Sequence, residues 1–142
     1  MPLFSFSGER PTNLGVTDTH LSPCPSSPNC VCSDASDSEH AIPSFRLTTP
    51  IPSEAWNTIL AIVANLPRTT IVAQTENYIH AECQSALLGF VDDLELHFRP
   101  DQGEIGVRSA SRLGRSDLGV NRKRVEALRA VLIAQGIVQL GS

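Results

Sequence analysis

Residues Phe90–Arg112 constrain this chain more than any other stretch. Between Phe90 and Arg99 the apolar Leu94, Leu96 and Phe98 alternate with Asp93, Glu95, His97 and Arg99. That is the period of a strand with one buried face. Pro100-Asp101-Gln102-Gly103 is a turn signal, and Glu104–Arg112 reads as the return strand. If the turn closes 99 onto 104, then 98 faces 105, 96 faces 107, 94 faces 109 and 92 faces 111. These pairs share one face, apolar at the turn end (Phe98 with Ile105, Leu96 with Val107) and polar at the other (Leu94 with Ser109, Asp92 with Ser111). On the opposite face Glu95 falls beside Arg108, with Asp93 diagonal to it, an ordinary cross-strand ion pair.

The rest of the chain is organised around this hairpin. Residues 1–40 are rich in Pro, Ser, Asn and Asp and show no periodicity, so they read as an irregular arm laid along the domain or held by a partner. Regular structure begins near Ala41 and the α+β domain spans residues 41–142. Ser44–Thr48 reads as a strand. Ser53 caps a helix running to about Leu66, with Trp56, Ile59, Leu60 and Val63 at helical spacing, and Pro67 ends it. Thr69–Gln74 and Tyr78–Ser85 follow as strands, and a last helix runs from Asn121 to Gln135 with Gly136 just beyond it. The order is β-α-β-β-β-β-α. It predicts an antiparallel sheet of about five strands with two amphipathic helices on one face.

Charge excludes some partners. The net charge is -4 and the pI about 5.5, which argues against general attraction to nucleic acid or anionic membrane. Yet between Glu104 and Arg124 six basic residues stand against two acidic ones, while the rest of the chain carries five basic and thirteen acidic. No apolar run reaches the length of a membrane span, and the first residues lack the pattern of a signal peptide, so a cytoplasmic setting is expected. In a reducing cytosol Cys24, Cys30, Cys32 and Cys83 are free thiols; a Cys24–Cys30 disulfide or a metal site are the alternatives. Cys30 and Cys32 stand too close for the usual zinc knuckle and His40 stands alone, so no metal is expected.

Asp92 is the first candidate for function. It lies in the register of core-facing residues, where a carboxylate is costly without donors. Ser109, Ser111, Asn121 and the nearby arginines supply them. The group reads either as a pocket in which Asp92 and an arginine organise a polar ligand, or as a buried network that fixes the loop. The second candidate is the start of the last helix. Asn121 is a good N-cap, but Arg122, Lys123 and Arg124 follow where the helix dipole disfavours cations. A bound anion would suit them, and Asp117 or Asp92 could equally supply the negative charge. No dinucleotide or phosphate-loop fingerprint and no nucleophile elbow occurs, so neither a cofactor nor a catalytic residue is indicated. Asp92 and Asp93 point to opposite faces and cannot form an acid/base pair. His80 and His97 read as surface histidines, and Ala86–Val91 as apolar core or a partner contact.

Four segments together resemble a known family: Leu21–Val31 with its two cysteines, Gly89–Asp93, Val107–Arg112, and Ser116–Val125. They resemble the DUF1499 family of uncharacterised domains, and Gly8–Val16 looks like its cyanobacterial and chloroplast members. The resemblance implies a motif set containing Asp92, Arg108, Ser109, Ser111, Arg112, Asp117, Asn121 and Arg122, with the Cys24–Cys30 loop among them. From this we expect the arm to fold back so that the loop meets the arginine-rich end of the sheet. Two functions are expected on these grounds. One is a non-catalytic binding or assembly module of a photosynthetic organism, reaching a protein partner through the arm, with a thylakoid complex as the setting by analogy. The other is a binding protein or enzyme for a small anionic metabolite, held by Arg108, Arg112 and the start of the last helix.

Overall fold

The structure is a computed structural model and describes residues 8–139 apart from 49, 87, 88 and 115. A small hairpin, β1 (Val16–Thr17) and β2 (His20–Leu21), precedes β3 (Cys30–Cys32) and β4 (Phe45–Arg46). Helix α1 (Pro52–Ala64) leads to β5 (Thr69–Thr75), β6 (Tyr78–Gln84), β7 (Val91–Arg99), β8 (Glu104–Ser111) and helix α2 (Val120–Ala134). The main sheet runs β3-β8-β7-β6-β5, with β4 also pairing β8, and all six strands are antiparallel. The fold is α+β as expected. The sixth strand comes from the arm, whose β3 lies along the outer edge of β8.

The central hairpin takes the register that its alternation dictates: Phe98 faces Ile105, Leu96 faces Val107, Leu94 faces Ser109 and Asp92 faces Ser111. Its turn is a short 3₁₀ segment, Pro100–Gln102, closed by Gly103 at φ +64°, a left-handed conformation that glycine adopts without strain. The apolar face of this sheet meets both helices. Ile59 and Val63 of α1, Val125, Leu128 and Leu132 of α2, and Ile79, Leu94, Leu96 and Val107 of the sheet form one buried core. Trp56 stacks on Phe98 at 5.2 Å and its indole N–H donates to the Glu76 carbonyl at 3.1 Å.

Ser53 does not cap α1. Pro52 takes the first helical position and Ile51 the N-cap, because the fixed φ of proline suits the first turn. The helix also stops at Ala64, two residues short of expectation, since Pro67 disfavours helical backbone at Leu66.

The second face of the sheet corrects the reading of its polar residues. Glu95, Arg108, His80 and His97 are all buried rather than on the surface. The arm lies over them. Gly15 N–H and the Tyr78 hydroxyl donate to Glu95 Oε1 at 2.9 and 2.7 Å. Arg108 reaches Glu95 Oε2 at 3.3 Å and donates to the carbonyls of Ser22 and Pro23 at 2.9 and 3.2 Å. Asp34 of the arm takes two hydrogen bonds from Arg99, at 3.0 and 2.7 Å. Gly106 makes room for that pair: a Cβ there would sit 2.6 Å from the Arg99 guanidinium.

Candidate functional site

Strand β8 ends at Ser111, and the chain passes through Arg112–Gly119 into α2. Asp92 lies opposite Ser111 and is 8% exposed. Its ionic partner is Arg124, whose Nη2 stands 2.8 Å from Asp92 Oδ2. Arg124 Nη1 donates to Asn121 Oδ1 at 2.9 Å and to Ser109 Oγ at 3.2 Å. Ser109 Oγ in turn donates to Asn121 Oδ1 at 2.7 Å.

Asn121 is the hub of this cluster and not the N-cap. Gly119 holds the N-cap position at φ +80°, and Asn121 lies fully buried one residue inside the helix. Its Nδ2 donates to Asp117 Oδ2 at 2.7 Å, to Ser111 Oγ at 2.8 Å and to the Asn29 carbonyl at 3.3 Å. Asp117 does the capping. Its carboxylate accepts from the backbone N–H of Gly119 at 2.8 Å and of Asn121 at 3.0 Å. Burial works to raise the Asp117 pKa, but the bonds from Asn121 and Gly119 outweigh it and hold the group below the usual carboxylate range. The negative charge that the helix start calls for is thus internal.

The remaining motif arginines lie apart from Asp92. Residues 108 and 112 have the parity of the opposite face, where Arg108 holds Glu95. Arg112 makes a two-point contact with Asp93 at 2.9 and 2.8 Å and also binds Glu82. His80 Nε2 stands 2.6 Å from Asp93 Oδ1. Burial pushes the Asp93 pKa up, and Arg112 and His80 more than reverse it. Arg122 ties down the end of the arm, donating to the carbonyls of Ala41 and Glu39 at 3.0 and 3.1 Å.

His80, Glu82 and Asp93 bring donor atoms within 4.8 Å of one another, the spacing of a metal cluster. Arg112 already donates to Asp93 and Glu82, His80 pairs with Asp93, and Glu82 also takes Arg10 at 2.6 Å. A cation would have to displace a guanidinium, so the donor set does not fit a metal.

Cys24 and Cys30 form a disulfide, which replaces the default expectation of free thiols; Cys32 and Cys83 are buried thiols. The loop that the disulfide closes reaches the site through Asn29, whose Nδ2 donates to the Gly114 carbonyl at 2.7 Å and whose carbonyl accepts from Ser111 N–H at 3.0 Å.

Beside the Asp92–Arg124 pair lies a pocket of about 290 Å3 with Phe90, Val91, Leu113 and Val120 among its walls. Phe90, Leu113 and Val120 are 41%, 41% and 44% exposed. Leu118, on the same loop, is 86% exposed and holds the left-handed region at φ +54°. Residues 87 and 88, within the apolar stretch Ala86–Val91, lie outside the described residues.

Residues 20–132 match the family described as "Protein of unknown function (DUF1499)". The chain belongs to the DUF1499 family. No curated protein and no solved structure matches it. The DUF1499 match includes the disulfide loop, both polar clusters and every residue of the pocket wall named above.

Sequence reasoning named Arg124 among the cations at the helix start, with Asp117 or Asp92 as their internal partner, and missed Leu118. Arg124 is three residues beyond Asn121, so helical spacing puts both on one face, and that spacing was the available signal. Leu118 carried none.

Proposed function

We propose that this DUF1499 domain is a non-catalytic binding and assembly module that docks a protein partner through the loop before α2. The observation that carries the reading is Leu118, 86% exposed in a left-handed backbone. A non-glycine residue held there costs roughly 1–3 kcal/mol, and an exposed leucine returns nothing to the free protein. The loop is nonetheless fixed by Asp117 and by a hydrogen bond from Leu118 N–H to Ser116 Oγ at 3.4 Å. Such fixing favours association because little freedom is lost on binding. Leu113 and Val120 extend the apolar surface. The partner suited to it presents an apolar groove.

Further support comes from how charge is used. Among the described residues Asp92, Asp93, Glu95, Arg108 and Arg112 all face opposite charges, which suits a fixed scaffold better than a reaction centre. Arg108 and Arg112 already hold carboxylates, which removes the main support for an anion site there. The arm is tied to its own sheet, so the loop replaces it as the proposed docking surface. The photosynthetic setting implied by the family resemblance identifies the extract to search. The Cys24–Cys30 bond favours an oxidising compartment over the cytoplasm first expected.

Immobilised wild-type protein should retain a stoichiometric partner from native extract, and Leu118→Ser should release it without lowering the melting temperature. Retention unchanged by Leu118→Ser, or no partner for the wild type, refutes the proposal.

A further inference from the structure

We infer that the pocket beside α2 binds an uncharged carboxamide carried on a small apolar body. The inference concerns what fills the pocket and goes beyond the docking loop. Its starting point is the pairing of walls and polar groups: Phe90, Val91, Leu113 and Val120 line a pocket with an ion pair, Asp92 buried and Arg124 half-buried, that is neutral as a unit.

The hydrogen-bond inventory narrows the ligand. Asp92 Oδ2 faces Arg124, and among the described residues no donor meets Asp92 Oδ1. Among the described residues no buried side-chain oxygen or nitrogen lacks a partner, so that oxygen is open, and Asp92 lines the pocket. It offers an acceptor. Arg124 spends Nη1 on Asn121 and Ser109 and one Nη2 hydrogen on Asp92, which leaves donors over. Ser111 Oγ accepts from Asn121 and Ser85 Oγ accepts from Phe90 N–H at 2.9 Å, so each hydroxyl proton is also still to be placed. The pocket therefore presents an acceptor and several donors side by side. A carboxamide answers both with its NH₂ and its carbonyl.

Charged ligands fit worse. An anion would compete with Asp92 for Arg124, and a cation would compete with Arg124 for Asp92. Either leaves a buried charge without its partner in an apolar setting. It would also disturb Ser109 and Asn121, which are fully buried behind Arg124. A neutral group uses the spare valences and leaves the pair intact.

The test is a titration of the ¹⁵N-labelled chain with isovaleramide, isovalerate and isopentylamine, which share an apolar body and differ in the head group. Isovaleramide should shift the amide signals of Val91, Asp92 and Gly114 and bind at least tenfold more tightly than either charged analogue. A charged analogue that binds as well, or no shift at these amides, overturns the inference. Asp92→Asn leaves Arg124 uncompensated, so the order should change in favour of isovalerate; a folded D92N protein that keeps the wild-type order also overturns it. Should D92N fail to fold, the wild-type series alone decides. Isovaleramide added to the pull-down then separates the sources of the carboxamide: release of the partner marks an asparagine or glutamine side chain of that partner, and retention marks a free small amide. Failure of the titration leaves the Leu118 result standing, and the reverse also holds.

Discussion

Asp117 shows how one side chain can set a whole corner of the molecule. It caps α2 and orients Asn121. Asp117→Ala should lower stability by about 1–2 kcal/mol, the usual range for a lost cap, measured by urea denaturation. Arg108 is held more tightly still. Arg108→Met leaves Glu95 charged and buried, and the expected loss is about 3–5 kcal/mol. Adding Glu95→Leu to Arg108→Met should recover part of it, because the double variant removes both charges. The hairpin register revealed that these two residues are neighbours. It could not reveal their burial, because alternation looks the same whether the polar face meets water or a polar strap. Asp92 was legible as a core-facing carboxylate for the same reason. Arg124 was one of several cations offered as its partner, and the choice among them was not legible, because the angle of the helix to the sheet leaves no trace in the sequence.

At the scale of elements, the long periodic segments and the short β4 were legible, and β1, β2 and β3 were not. Strands β5 to β8 and both helices repeat their patterns several times. Strand β3 has three residues and repeats nothing. β3 exists because β8 offers it an edge, with Cys30 opposite Ala110 and Cys32 opposite Arg108. The disulfide and Asn29 hold it in place. Replacing Cys24 and Cys30 together by serine should cost about 2 kcal/mol, the value for a short closed loop. Hydrogen exchange should then quicken at Val31 and Cys32 while the amides of β7 stay protected. Equal protection at both strands would show that the disulfide does not hold the edge.

For the whole molecule, stability should peak near neutrality. Asp34, Glu82, Asp93 and Asp117 all titrate below the usual carboxylate range. Their contribution is complete above the unfolded pKa and is lost as pH falls below about 4. Burial lowers the His97 pKa, so its contribution is complete above about 6.5 and shrinks as pH falls from there. The Ser27 carbonyl, with Asp37, raises that of His40, whose contribution is complete below about 6.5 and is lost as pH rises. Melting temperatures recorded from about pH 3 to 9 should therefore show a maximum near 6.5 and a steep acid limb below about 4.

The pairing of β3 with β8 also sets an order of events in synthesis. Cys30 cannot meet Ala110 until the ribosome has released almost the entire domain. The segment made first is the last to find its place. Meanwhile Asp34 and the backbone of the arm must wait in water for Arg99, Arg108 and Glu95, groups not yet translated or not yet arranged. A strap built from polar contacts suits that delay. A hydrophobic one would spend the same interval exposed and prone to aggregate.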